Sequence, residues 1–251
     1  MNKILVVDNK IDNYSDGYIE IKNNKITFLE SNSYYIEFNN SNNINIEFNV
    51  KDGVSLFLDI LSLDNSFNNK ITYNIYDSNV LVNIFYCNKS SRDNININLN
   101  SDGSRIDYYF SEICRELSDY KINVYHNNKN TISNIYNKSI TIGNSICNYE
   151  INSYVYNGNI NSNLNQDTKI ITMGDNNAKI CPNMYIDLDN VISRHASWIG
   201  KFDNDKLFYL MSRGLTYSSS IKLLIKGFLI NNMASMDKRK IILNKIEEYW
   251  G

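Results

Sequence analysis

No run of apolar residues in this 251-residue chain approaches the roughly 18 that a membrane span requires. No long run of basic residues is present either. The net charge is -2 with both signs interspersed, which leaves nucleic acid and anionic membrane surfaces poorly supported as partners. The opening MNKILVVDNK has a short apolar run before Asp8, too short for a secretory signal, so the expected location is cytoplasmic. The four cysteines, Cys87, Cys114, Cys147 and Cys181, form no CxxC pair, which argues against a zinc ribbon. A disulfide framework belongs to small secreted chains, so buried thiols are expected. Cys147 and Cys181 on neighbouring layers of a coil are a candidate ligand pair. Proline occurs once, at Pro182.

Asparagine is abundant instead: 45 residues, of which only four follow Val191. An AT-rich coding sequence favours Asn, Ile, Lys and Tyr in bulk but does not explain where the asparagines stop. Stacked coils turn at every layer, and Asn tolerates the left-handed backbone such turns use.

From Tyr18 to about Val191 the pattern has period two. Ile44–Phe48, Ile71–Ile75, Ile95–Leu99, Ile106–Tyr108, Ile122–Val124 and Ile140–Ile142 read as half-buried strands between Asn, Asp, Ser and Gly clusters. Short strands with frequent turns fit a sandwich, a barrel or a β-helix. Hairpin dipeptides are sparse, and the alternation runs on without a linker, as in a quasi-one-dimensional stack. Both observations favour the β-helix, and the lack of a strict hexapeptide repeat argues against the acyltransferase type.

After Gly200 the period becomes helical. Asp203 can cap a helix in which Leu207, Leu210 and Met211 share a face, with Gly214 placed to end it in a left-handed turn. Thr216 can cap a second helix with an apolar stripe of Ile221, Leu224, Ile225, Phe228 and Leu229. Asp237 can cap a third, carrying Ile241, Ile242, Ile246, Tyr249 and Trp250. About 50 helical residues cannot build a core alone, so the tail must pack on the strands, on a partner, or on both.

The stretch from His195 to Leu215, HASWIGKFDNDKLFYLMSRGL, resembles the C-terminal signature of the SufB/SufD family, the scaffolds of SUF iron–sulfur assembly. His195, Gly200, Asp203, Leu207, Phe208, Tyr209, Leu210, Ser212, Arg213 and Gly214 fall in register with it. Pro182, Asp189-Asn190-Val191 and Lys226-Gly227-Phe228 agree less specifically, so the detailed match runs from Ile171 to Leu229. The resemblance implies a right-handed parallel β-helix core over residues 1–200, with a short lead-in. A C-terminal helical domain over 201–251 would dock the ABC-type ATPase SufC. An N-terminal helical domain usual in the family is not expected here, so the chain reads as a short, SufD-like member. The glutamate that follows the histidine in SufB-type members is absent. So is their β-helix cysteine, because Gln166-Asp167-Thr168 stand at its distance.

What the resemblance implies for function is a scaffold, not an enzyme, that couples SufC motion to cluster assembly at a β-helix dimer interface. The other chain would be SufB-type or a second copy. His195 is the candidate metal ligand, since imidazole binds iron well and needs an orienting partner. The other reading is a boundary histidine hydrogen-bonded in a dimer interface. His126 is expected at the surface. Leu207, Leu210 and Met211 read as core, whereas Phe208, Tyr209 and Arg213, with Gly214 and Leu215, are the candidate ATPase interface. A transient iron–sulfur cluster shared with a partner chain is the implied cofactor. ATP would act only through the partner ATPase, because no G-x-x-x-x-G-K-[ST] loop occurs. The alternatives are a structural or carbohydrate-binding β-helix, or a degenerate paralogue without cluster chemistry.

Overall fold

The computed structural model describes residues 2–11, 18–39, 41–174, 176–230 and 235–251. Strands begin earlier than the alternation suggests. Two short antiparallel pairs open the chain: β1 (Asn2–Val7) with β2 (Lys10–Ile11), and β3 (Ile19–Lys22) with β4 (Lys25–Phe28). The chain then winds between two sheets. One stacks β5 (Asn32–Asn39), β7 (Ser55–Leu63), β9 (Asn79–Cys87), β11 (Arg105–Cys114), β13 (Ile132–Ile142), β15 (Ser162–Met173) and β17 (Val191–Gly200), with β1 parallel to β5. The other stacks β6 (Asn43–Val50), β8 (Ser66–Ile75), β10 (Ser90–Leu99), β12 (Leu117–His126), β14 (Ile146–Val155) and β16 (Asn177–Ile186), with β4 parallel to β6. Strands adjacent in sequence lie in opposite sheets and like strands pair in parallel, which rules out a sandwich of hairpins. The result is a parallel β-solenoid of about six turns.

Ser55 lies opposite Asn79 and Ile132 opposite Asn163, so a coil lengthens from 24 to 31 residues along the stack. Period-two alternation sends every second side chain into the space between the sheets. There Phe28, Phe48 and Tyr73 stack, and Phe110 lies 4.4 Å from Tyr120. Gly53 and Gly103 turn two corners with φ of +75° and +76°, where a side chain would be strained.

Asparagine serves mostly another purpose than turning. Among the described residues only Asn9, Asn23, Asn130 and Asn161 are left-handed. Many of the others hydrogen-bond to each other across coils. Asn98 donates to Asn74 and Asn74 to Asn49, while Asn183 donates to Asn152 and Asn152 to Asn123. At one corner Asn190 donates to Asn161, and Asn161 to Asn130. An amide carries both donor and acceptor, so identical residues at one register satisfy each other, at roughly 0.5–1.5 kcal/mol per bond.

His126 is not a surface residue. It is fully buried at the end of β12, with Nδ1 2.7 Å from the Thr131 hydroxyl and Nε2 2.9 Å from that of Ser133. Burial pulls its pKa down to about 3, which keeps the ring neutral.

The helical tail packs on the outer face of the nine-stranded sheet. It comprises α1 (Asn204–Ser212), α2 (Tyr217–Leu229) and α3 (Met236–Trp250). Ile221, Ile225, Leu229, Ile242 and Ile246 bury against Leu61, Phe85, Ile113, Ile140 and Ile171, which explains why those strand segments are apolar on both faces. Asp203 and Thr216 cap α1 and α2 as expected, accepting from the Asp205 and Ser219 amides. Gly214 ends α1 with φ +93°. The cap of α3 is Ser235 rather than Asp237, a shift of two positions. Met211 is exposed, so only Leu207 anchors α1 fully.

An ion pair no sequence pattern announces fixes α3. The Lys238 ammonium lies 2.7 Å from Asp59 on β7 and donates to the Asn83 carbonyl, also at 2.7 Å. Asn83 and the Ser235 amide donate to the same carboxylate. Both charged side chains are almost wholly buried.

Candidate docking and scaffold surfaces at the open end

The two ends of the solenoid differ. The first coil is finished by the short antiparallel strands β2 and β3, whereas the last coil ends in β16 and β17, ten residues each, paired on one side only among the described residues. Long bare edges are templates for another chain. Pro182, the chain's one proline, sits in β16, where an edge tolerates its missing N–H. The edge takes in both whole strands. A ladder of parallel rings, Tyr125, Tyr154 and Tyr185, crosses β12, β14 and β16 at spacings of 4.9 and 4.8 Å. Each inner ring covers its neighbour's face, so the free face belongs to the terminal Tyr185.

His195 lies on β17 opposite Gln166, in the row whose earlier members point into the solenoid. At the open end it is exposed. Gln166 beneath it is buried, donates to Ser153 at 2.8 Å, and leaves its Oε1 without a hydrogen-bond partner. Among the described residues no cluster of three metal-ligating side chains includes His195, so a metal held there needs further ligands from beyond those residues. Arg194 and Trp198 occupy the opposite row. Gly200 makes room for the Trp198 ring, because a Cβ there would lie 2.5 Å from it.

Phe208, Tyr209, Arg213, Gly214 and Leu215 are all exposed. Phe208 is 75 % and Tyr209 57 % accessible, and Met211, Tyr217 and Leu223 widen the patch. The Arg213 guanidinium lies 5.3 Å from the Tyr209 ring centre, holding a cation and an aromatic face together at the surface. The shared motif thus divides by role. Gly200, Asp203, Leu207 and Gly214 build the junction, and Phe208, Tyr209 and Arg213 are left facing outward.

Cys147 and Cys181 do not meet. Cys147 stands opposite Ala178 on the inward row, whereas Cys181 stands opposite Glu150 on the outward row. The neighbours of Cys147 are Glu112 and Cys114, which sequence spacing gave no reason to group.

The class defined by this geometry is a parallel β-solenoid with a helical cap on one sheet and open strand edges at one end. A sequence model described as the SUF system FeS cluster assembly, SufBD core domain, matches residues 18–228, and the chain belongs to that family. It is 37% identical over 70 residues to an iron–sulfur cluster assembly SufBD family protein of Mycobacterium leprae, covering 26% of this chain and 18% of the relative. Over 104 residues it is 32% identical to the SufBD family protein ycf24 of Galdieria sulphuraria, covering 41% and 47%. Over 101 residues it is 31% identical to the iron–sulfur cluster assembly protein SufD of Bacillus subtilis, covering 37% and 22%. The matched stretch is less than half the length of each relative. That family is described by its part in iron–sulfur cluster assembly.

Proposed function

We propose that the chain is a SufD-like scaffold subunit whose helical cap docks a SufC-type ABC ATPase and whose open edge joins a SufB-type chain or a second copy. The observation that carries this reading is the uncovered aromatic and arginine patch on α1, next in sequence to the bare edge strand β17. Aromatics with arginine make strong interface anchors, and a long unpaired edge extends readily into another sheet. ATP hydrolysis belongs to the partner; this chain supplies geometry. Movement of the ATPase pair, passed through the cap, would change access to ligands at the edge.

Co-expression with the SufC-type ATPase of the same organism should yield a stable complex. Tyr209→Ala with Arg213→Ala should weaken it about 10-fold or more, as expected for two anchors of about 1–2 kcal/mol each. Undiminished affinity removes these residues from the interface. Failure of any complex to form sinks the ATPase-coupled role.

At the edge, His195 would meet ligands from the joining chain, since one imidazole cannot hold a cluster. The cluster is the cargo of the reaction. The anaerobically reconstituted complex should absorb in the visible, and His195→Ala should remove most of that absorption while association in the ultracentrifuge persists. Full cluster content in the variant makes His195 structural, and a chain that stays monomeric both alone and with a SufB-type partner refutes the edge contact.

A further inference from the structure

We propose that Glu112, Cys114 and Cys147 form a buried site for one thiophilic divalent cation of the zinc or ferrous class, inside a corner of the solenoid and apart from the open end. Glu112 and Cys114 are two residues apart near the end of β11, so both project inward. Cys147 comes from the start of β14, in the facing sheet. The chain turns from β11 into β12 and from β13 into β14 at this corner, which brings the three together across 33 residues of sequence and more. Their ligand atoms all lie within 4.8 Å of one another, and all three residues are buried.

The spacing suits a metal. Tetrahedral zinc, with sulfur at about 2.3 Å and oxygen at about 2.0–2.2 Å, sets ligand atoms roughly 3.3–3.8 Å apart. The Cys147 sulfur is 3.7 Å from the Glu112 Oε1. Both cysteines are free thiols, and two sulfurs with one carboxylate select a soft or borderline cation over magnesium or calcium.

Supporting groups are in place. The same Glu112 oxygen accepts from the Tyr149 hydroxyl at 2.6 Å and from Ser139 at 3.1 Å, which orient it. The Ser118 hydroxyl, beside Cys147 in register, is close enough to influence Glu112 yet makes no hydrogen bond of good geometry. It is a buried polar group at the same corner, able to serve as a fourth ligand or to hold a water that does.

Burial pushes the Glu112 carboxyl and the Cys147 thiol upward, so the empty site holds its protons. Binding would release them, and the 2+ charge would offset three anions that could not otherwise coexist in a dry interior. The competing account is a purely neutral hydrogen-bonded cluster, which binds nothing.

The test uses the full chain, purified under reducing, anaerobic conditions after growth with added zinc, and again after refolding with cobalt(II). Close to one metal per chain is expected, with intense thiolate-to-cobalt absorption and a melting temperature raised by the metal. Cys114→Ser with Cys147→Ser should lose at least 10-fold in metal content, while Cys87→Ser with Cys181→Ser keeps it. Should the first double variant fail to fold, Glu112→Gln, similar in size, should still weaken cobalt binding and alter its spectrum. A metal-free protein after both routes, or equal cobalt binding by the site variants, overturns the proposal.

Discussion

Lys238→Ala is expected to cost about 3–5 kcal/mol, or to release α3 from the sheet. The substitution leaves Asp59 charged and buried with only the Asn83 and Ser235 donors beside it. Burial already pulls the lysine down to about 8 against the attraction of Asp59, so the pair is held by mutual need more than by surplus energy. Urea titration should show the lower midpoint, and hydrogen exchange should show α3 losing protection before the strands. Pairing Lys238→Met with Asp59→Asn should recover much of the loss, because two neutral groups replace one stranded charge. A midpoint and an α3 protection unchanged in Lys238→Ala would show that apolar contacts alone seat the helix.

Acid should act on this fold through opposed buried groups, of which His126 and Asp93 are the clearest pair. His126 has its pKa lowered from 6.5 to about 3, so between those values the unfolded chain takes up a proton the folded chain refuses. Its contribution is fully present above pH 6.5 and is lost as pH falls toward 3. Asp93, buried beside Asn69, is raised to about 7, chiefly by desolvation. Between its ordinary carboxylate value and 7 the folded chain holds the extra proton, so this contribution is present at low pH and lost as pH rises. Each can reach about 1.4 kcal/mol per pH unit, on the order of 4 kcal/mol in all. The wild-type profile between pH 4 and 6.5 should therefore be flatter than that of either single variant. His126→Gln should expose a stability that falls as pH rises, and Asp93→Asn one that falls as pH drops. Parallel profiles for wild type and both variants would disprove the assignment.

Strand positions were legible because alternation survives in every coil: Ile44–Phe48 lies in β6 and Ile95–Leu99 in β10. The caps Asp203 and Thr216 and the turn at Gly214 follow from local chemistry and were equally legible. The coil repeat was not, because it drifts from 24 to 31 residues and no fixed period exists to find. Parity also decides what spacing cannot. Cys147 and Cys181 differ by an offset that puts them on opposite faces of one sheet, and Cys114 meets Cys147 only because two corners coincide. The Asp59–Lys238 pair spans 179 residues and depends on how the tail docks, which no local pattern encodes. His126 was misplaced although it shares the inward parity of Ile122 and Val124, because a polar side chain at a strand end reads as exposed.

The asparagine ladders make the wall modular. Asn74 lies between Asn49 and Asn98, so excising the coil that carries it would set Asn49 beside Asn98 and close the gap with the same bond. Amides match at any number of rungs, whereas an Asp, which only accepts, can end a row, as Asp102 does beside Asn130, but cannot continue one. Evolution can therefore lengthen or shorten such a wall by whole turns more cheaply than it can edit one rung.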